Sequence, residues 1–118
     1  MNNDPISIPV DSEEFSEFIK RSKIFDRTRE LMRGYLTNWY SNNVETFIED
    51  MRADLATVLE RYHFYNEFVS IDKNFNFDPP LDTVTCTIRI ADEEDDYCSQ
   101  YSTIYDFHLN AIDDYMRG

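Results

Sequence analysis

Five consecutive carboxylates, Asp92, Glu93, Glu94, Asp95 and Asp96, stand between an alternating apolar stretch and a tyrosine-rich one. Such side chains can hold a divalent cation, move protons, or present a negative field to a cationic partner. The spacing argues against a calcium loop. With Asp92 as first ligand, the sixth position is Tyr97, where the loop requires glycine, and the twelfth is Thr103, where it requires a bidentate carboxylate. No metal or other cofactor is expected. Taken alone, the run reads as a solvated turn or the start of a helix, where the macrodipole favours acids.

The catalytic inventory is poor. His63 and His108 are the only histidines, and neither lies in a nucleophile, zinc or acid–base pattern. Cys86 and Cys98 are too few for a disulfide framework and read as small buried side chains. The only glycines are Gly34 and Gly118, too few for a loop that cradles phosphate. Carboxylates are plentiful, but they fall on outward faces of the expected elements, where pKa shifts are small. An enzyme is not expected.

The net charge is −13, and it is unevenly spread. Residues 1 to 33 hold seven acids against six bases, whereas residues 34 to 118 hold seventeen against five. That field repels nucleic acid and anionic membrane and attracts cationic protein surfaces within about 8 Å, one Debye length at physiological salt. The six early cations, Lys20, Arg21, Lys23, Arg27, Arg29 and Arg33, are expected to pair with Glu17, Asp26 and Glu30 or with acids of the following helix. Pairing them with the acidic face of another copy would give a homodimer; monomer and homodimer both stay open. With no secretory leader and no long apolar run, a soluble, reducing, cytoplasmic setting is expected.

Several elements must position these groups. At 118 residues, with 42% hydrophobic and 15% aromatic content, the chain should form one folded domain. Residues 1 to 10, with two prolines and no periodicity, read as an extended arm. Asp11 or Ser12 can cap a helix, or two abutting ones, running to about Tyr40 on a stripe of Phe15, Phe18, Phe25, Met32, Leu36 and Trp39. After the break at Ser41, Asn42 and Asn43, the spacing of Val44, Phe47, Ile48, Met51, Leu55, Val58, Leu59 and Tyr62 predicts a second helix. Its other face carries Glu45, Glu49, Asp50, Asp54 and Glu60. The like-charge pairs Glu45/Glu49 and Asp50/Asp54, four residues apart, are each unfavourable.

From Glu67 the period shortens, and FVSID and NFNF read as short strands. LDTVTCTIRI alternates strictly, with Val84, Cys86, Ile88 and Ile90 on a buried face and Thr83, Thr85, Thr87 and Arg89 on the other. Beyond the acids, Tyr97, Tyr101, Ile104, Tyr105, Leu109, Ile112, Tyr115 and Met116 fit a helix, although 97 to 103 could instead return as the second strand of a hairpin. The expected class is α+β: two N-terminal helices, a small antiparallel sheet of short strands, and a C-terminal helix.

Carboxylates spread over several rigid elements can stand in for a row of phosphates and occupy a basic cleft. The candidates are the acid run, Glu45, Glu49, Asp50 and Asp54, and Asp106, Asp113 and Asp114. Tyr40, Tyr65, Tyr97 and Tyr101 are candidate aromatic anchors beside them. The expected function is a non-catalytic inhibitor that covers the nucleic-acid-binding surface of a nuclease, of anti-CRISPR or anti-restriction type. The alternatives are an immunity protein neutralising a bacterial toxin, or an adaptor whose acidity serves solubility.

Overall fold

The computed structural model describes residues 12–118. The arm expected at 1 to 10 and the cap at Asp11 lie outside the described residues. Four helices, α1 (Ser12–Ser22), α2 (Ile24–Asn42), α3 (Val44–Met51) and α4 (Leu55–Arg61), precede four strands, β1 (His63–Asn74), β2 (Leu81–Ala91), β3 (Tyr97–Tyr105) and β4 (Ala111–Arg117). The strands form an antiparallel meander in the order β1-β2-β3-β4. The class is α+β, with a strand at its end in place of the expected C-terminal helix.

One helix or two abutting ones are expected before the break at Ser41 to Asn43 and one after it; the structure has two on each side, separated by local bends at three residues. Lys23, with φ 53°, leaves α1 and opens α2. Asn43 closes α2 and caps α3, its side-chain oxygen accepting from the Thr46 amide at 3.1 Å. Arg52, with φ 63°, ends α3, and Asp54 then caps α4 by accepting from the Thr57 amide at 2.9 Å. The helical stripe runs across this last break because Met51 and Val58 both face the same core. The single helix expected from Val44 to Tyr62 is therefore two short ones.

The strand expectations also need correction. FVSID belongs to one long strand that begins at His63, and Phe75 and Phe77 lie in the loop that follows it rather than in a strand. The segment expected to be a helix from Thr103 onward is the end of β3, a turn, and β4. Tyr101, Thr103 and Tyr105 are buried together, one face of a strand with period two. The run Tyr101-Ser102-Thr103-Ile104-Tyr105 is made of aromatic and β-branched residues that suit a pleated surface better than a helix.

One face of the sheet packs on the helices. Ile88, Ile90 and Tyr101 meet Met32, Leu36, Phe47, Met51, Val58 and Tyr62 in the main core. Trp39 and Tyr40 each form a T-shaped pair with Phe47, at centroid distances of 5.0 and 5.1 Å. Full burial of Leu36 or Phe47 stabilises by roughly 1.5–3 kcal/mol each. A second cluster, Ile24, Val84, Cys86 and Tyr105, fastens the α1–α2 junction to the sheet, and burial there pushes the Cys86 thiol up to about 11. Thr28 ties the second cluster together, its hydroxyl donating to the Ile24 carbonyl at 2.8 Å and lying 2.9 Å from that of Tyr105.

The pairing registers set which loops are neighbours. His63 lies opposite Ala91 and Asn74 opposite Leu81, so the β2–β3 turn shares one end of the sheet with the start of β1. The β1–β2 loop and the β3–β4 turn share the other.

Candidate functional site

The acid run is the β2–β3 hairpin turn. The Asp92 amide donates to the Asp96 carbonyl at 2.8 Å, and the Asp95 amide donates to the Asp92 carbonyl at 3.0 Å. Asp95 sits in the left-handed region with φ 66°, which a short polar side chain tolerates. One carboxylate oxygen of Asp92 accepts from the amides of Glu94 and Asp96, both at 3.0 Å. Asp92 thus builds the turn. Asp95 accepts from the Tyr65 hydroxyl at 2.6 Å, and that bond holds the Tyr65 phenol above its ordinary pKa.

Three ion pairs occur among the described residues: Arg52 with Asp92 at 3.6 Å, Arg61 with Glu93 at 4.0 Å, and Lys73 with Asp82 at 3.2 Å. The first two are long and solvent-screened, so they hold little of the turn's charge. Glu93, Glu94, Asp95 and Asp96 are exposed, and the last three have no cation within 4.0 Å among the described residues.

The expected pairing of the early cations is not found. Lys20, Arg21, Lys23, Arg27, Arg29 and Arg33 enter none of these ion pairs. Two of them serve the backbone instead. Arg27 donates to the Ser22 carbonyl at 2.9 Å, and Arg29 donates to the Phe64 carbonyl at 3.1 Å and to the Asn66 side chain at 2.6 Å. The helix α2 still spaces Arg29 three residues from Asp26, and Arg27 and Arg33 three from Glu30, but none of these pairs closes to an ion pair.

The turn is docked on the helices from below. Arg52, between α3 and α4, donates to the Tyr97 carbonyl at 3.1 Å and contacts the Cys98 thiol, which holds the guanidinium pKa above its usual value. The Cys98 sulfur also lies 3.9 Å from the Asp50 carbonyl and 3.8 Å from the Met51 sulfur. These contacts bring the end of α3 to the base of the hairpin. Tyr97 is half exposed beside the acids.

Of the residues singled out from sequence, Asp92 to Asp96, Tyr97, Tyr65 and Asp50 come together at one end of the sheet. Glu45 and Glu49 are exposed on the helix that leads there. The others have different roles. Asp54 is a helix cap, its carboxylate pKa lowered by the hydrogen bonds from Thr57. Asp106 builds the β3–β4 turn at the opposite end. Asp113 lies opposite Ile104 in the β3–β4 ladder. Asp114 accepts from the Tyr101 hydroxyl at 2.7 Å. Tyr101 is fully buried, which raises its phenol pKa and removes it as a surface anchor. Tyr40 is half-buried on Phe47.

Sequence reasoning missed a groove. Tyr35 and Trp39 of α2, Asp50 and Met51 of α3, Cys98 and Ser99 of β3, and Met116 and Gly118 enclose about 430 Å³. A shallower cleft of about 300 Å³ lies between Arg52, Ala53, Tyr62 and the side chains of Asp92, Glu93 and Glu94. Trp39 and Tyr35 belong to a helical stripe that reads as core, so nothing in their spacing marks them as groove walls. Among the described residues no three His, Cys, Asp or Glu side chains converge as metal ligands. His63 is exposed and stacks on Tyr65 with centroids 6.1 Å apart, while His108 is exposed in the β3–β4 turn.

Compared with known protein families, curated proteins and solved structures, the chain matches none, so the site is read from its own residues.

Proposed function

We propose that this chain is a non-catalytic binding protein whose acidic end docks on a basic protein surface, of the kind that nucleases and other nucleic-acid-handling proteins present to a phosphate backbone. The observation that carries the reading is the surplus of charge in the β2–β3 turn. The turn needs one carboxylate, that of Asp92, to close. Four further acids add repulsion without adding an intramolecular bond, apart from the Tyr65 bond to Asp95 and the long contact from Arg61 to Glu93. A rigid hairpin holding like charges in place raises the rate of encounter with a cationic surface and disfavours wrong partners.

The geometry also suits proximity to a backbone-binding cleft. The turn's exposed acids stand on a backbone held by the ladder behind it, and the half-exposed Tyr97 ring beside them supplies apolar contact. No helix among the described residues is long and apolar enough to cross a membrane. A toxin with a basic surface would be met by the same chemistry, which makes an immunity role a variant of this reading rather than a rival to it.

The test is capture on the immobilised protein from bacterial lysate at low salt, followed by elution with short duplex DNA. The proposal expects the DNA to release nucleic-acid-binding proteins in preference to other captured material. Release by salt alone, with DNA releasing nothing, would contradict it.

A further inference from the structure

We infer that the groove between α2, α3 and the ends of β3 and β4 receives an arginine side chain of the basic partner. This rests on the binding role proposed above and adds its recognition element. Two aromatic rings form the wall, and both are held by neighbours: Trp39 and Phe47 pack at a steep interplanar angle with centroids 5.0 Å apart, and Tyr35 tilts on Tyr101 at 5.5 Å. Met51 and Met116 supply apolar surface that adapts to a long side chain. Asp50 stands at the rim, exposed and with no cation within 4.0 Å among the described residues.

No lysine or arginine lines the groove. Arg52, the nearest cation described around Cys98, is already matched by Asp92 and by the Tyr97 carbonyl. The Ser99 hydroxyl is used in donating to the Arg117 carbonyl at 2.8 Å. What the groove offers is therefore two aromatic rings, apolar flanks and the unmatched Asp50 carboxylate. That combination fits a planar, weakly hydrated guanidinium better than a compact, strongly hydrated ammonium, because the guanidinium can stack on a ring and bond a carboxylate at once. At about 430 Å³ the groove lies toward the small end of ligand sites, which run roughly 300–1,000 Å³, and suits a side chain better than a large cofactor. Arginine is also the side chain on which phosphate-binding surfaces rely. The acidic turn steers such a surface, and the groove takes hold of one residue of it.

Trp39 is the chain's only tryptophan, so its emission reports directly on the groove. Titration of the full chain with a hexa-arginine peptide should change that emission saturably, and hexa-lysine should need several-fold more peptide. D50N, an exposed substitution without folding consequence, should weaken the hexa-arginine response about tenfold, the size of one charge-assisted hydrogen bond. An emission unmoved by millimolar hexa-arginine, or a D50N curve equal to that of the unaltered protein, overturns the inference. The turn variant E94Q/D96N separates the two readings. If it binds the captured target as tightly as the unaltered protein while Trp39 still responds to hexa-arginine, the function reading fails and the groove assignment stands. If it loses the target while Trp39 never responds, the reverse holds.

Discussion

The meander closes with two hairpin turns of one design, and only one of them is acidic. In the β2–β3 turn, Asp92 accepts from the amides two and four residues on, and the fourth residue, Asp95, has φ 66°. In the β3–β4 turn, Asp106 accepts from the His108 amide at 2.8 Å and the Asn110 amide at 2.9 Å, and the fourth residue, Leu109, has φ 62°. The backbone bonds correspond as well, with the Asp106 amide donating to Asn110 and the Leu109 amide donating to Asp106. What differs is the filling. Glu93, Glu94 and Asp95 occupy positions that Phe107, His108 and Leu109 occupy in the second turn. The fold thus asks for one aspartate at the head of each turn and leaves the next residues free. The first turn fills them with acids, and the second with Phe107, His108 and Leu109.

The ends differ accordingly. Beside the second turn, Leu109 packs on the cluster of Ile24, Val84, Cys86 and Tyr105, while Phe75, Phe77 and Phe107 stand exposed nearby in the two loops. Beside the first turn lie Tyr97, Arg52 and the groove.

Substitutions in the two turns would sharpen this comparison, taken from the largest effect down. Asp92→Ala and Asp106→Ala should each lower Tm by several degrees, because each leaves two turn amides without their acceptor. Asn at either position should restore most of the loss, and Glu94→Ala should leave Tm within about a degree. Thermal melts followed by circular dichroism check all of these; a drop for Glu94→Ala equal to that for Asp92→Ala would break the argument that one carboxylate suffices. Next come the left-handed positions. Leu109→Gly relieves backbone strain of about 1 kcal/mol but forfeits packing of greater size, for a net loss of about 1 kcal/mol. Asp95→Gly should be nearly neutral when both variants are compared by denaturant titration, since its relief is offset by the lost Tyr65 bond.

The smallest effect is on pH dependence. Hydrogen bonds from Asn110 and His108 hold the Asp106 carboxylate below its ordinary pKa, and those from Thr57 do the same for Asp54. A lowered folded-state pKa means stability that is present above the unfolded value, about 4, and lost as pH falls through the folded value. Stability should therefore decline on acidification from about pH 5 downward, and the slope should flatten in a D54N/D106N variant. An unchanged slope would remove both caps from the account of acid unfolding.

Much of the scaffold was legible from residue pattern alone. The strict alternation from Val84 to Ile90 marks β2 because one face is buried against the helices, and a hairpin turning at the acids was one of two readings of residues 97 to 103. The second turn was hidden because Tyr101, Tyr105, Leu109, Ile112 and Met116 fall three to four apart and imitate a helical face. The clue was the repeated spacing of Asp92 to Asp96 and Asp106 to Asn110, which a hydrophobic count does not weigh. The break at Arg52 was masked because a helix can kink and keep its stripe. The dispersal of Asp106, Asp113 and Asp114 away from the acidic end depends on strand register, and composition carries no register.

The measurement that bears most directly on the central claim is the association rate with a captured basic target as salt is raised, for the unaltered protein and for E93Q/E94Q/D96N, which keeps Asp92 to close the turn and Asp95 to hold Tyr65. The account predicts a rate that falls by about an order of magnitude from low to high salt in the unaltered protein, and a slower, salt-insensitive rate in the variant at equal Tm. Equal rates and equal salt slopes for the two proteins would show that the charge of this turn does not guide binding.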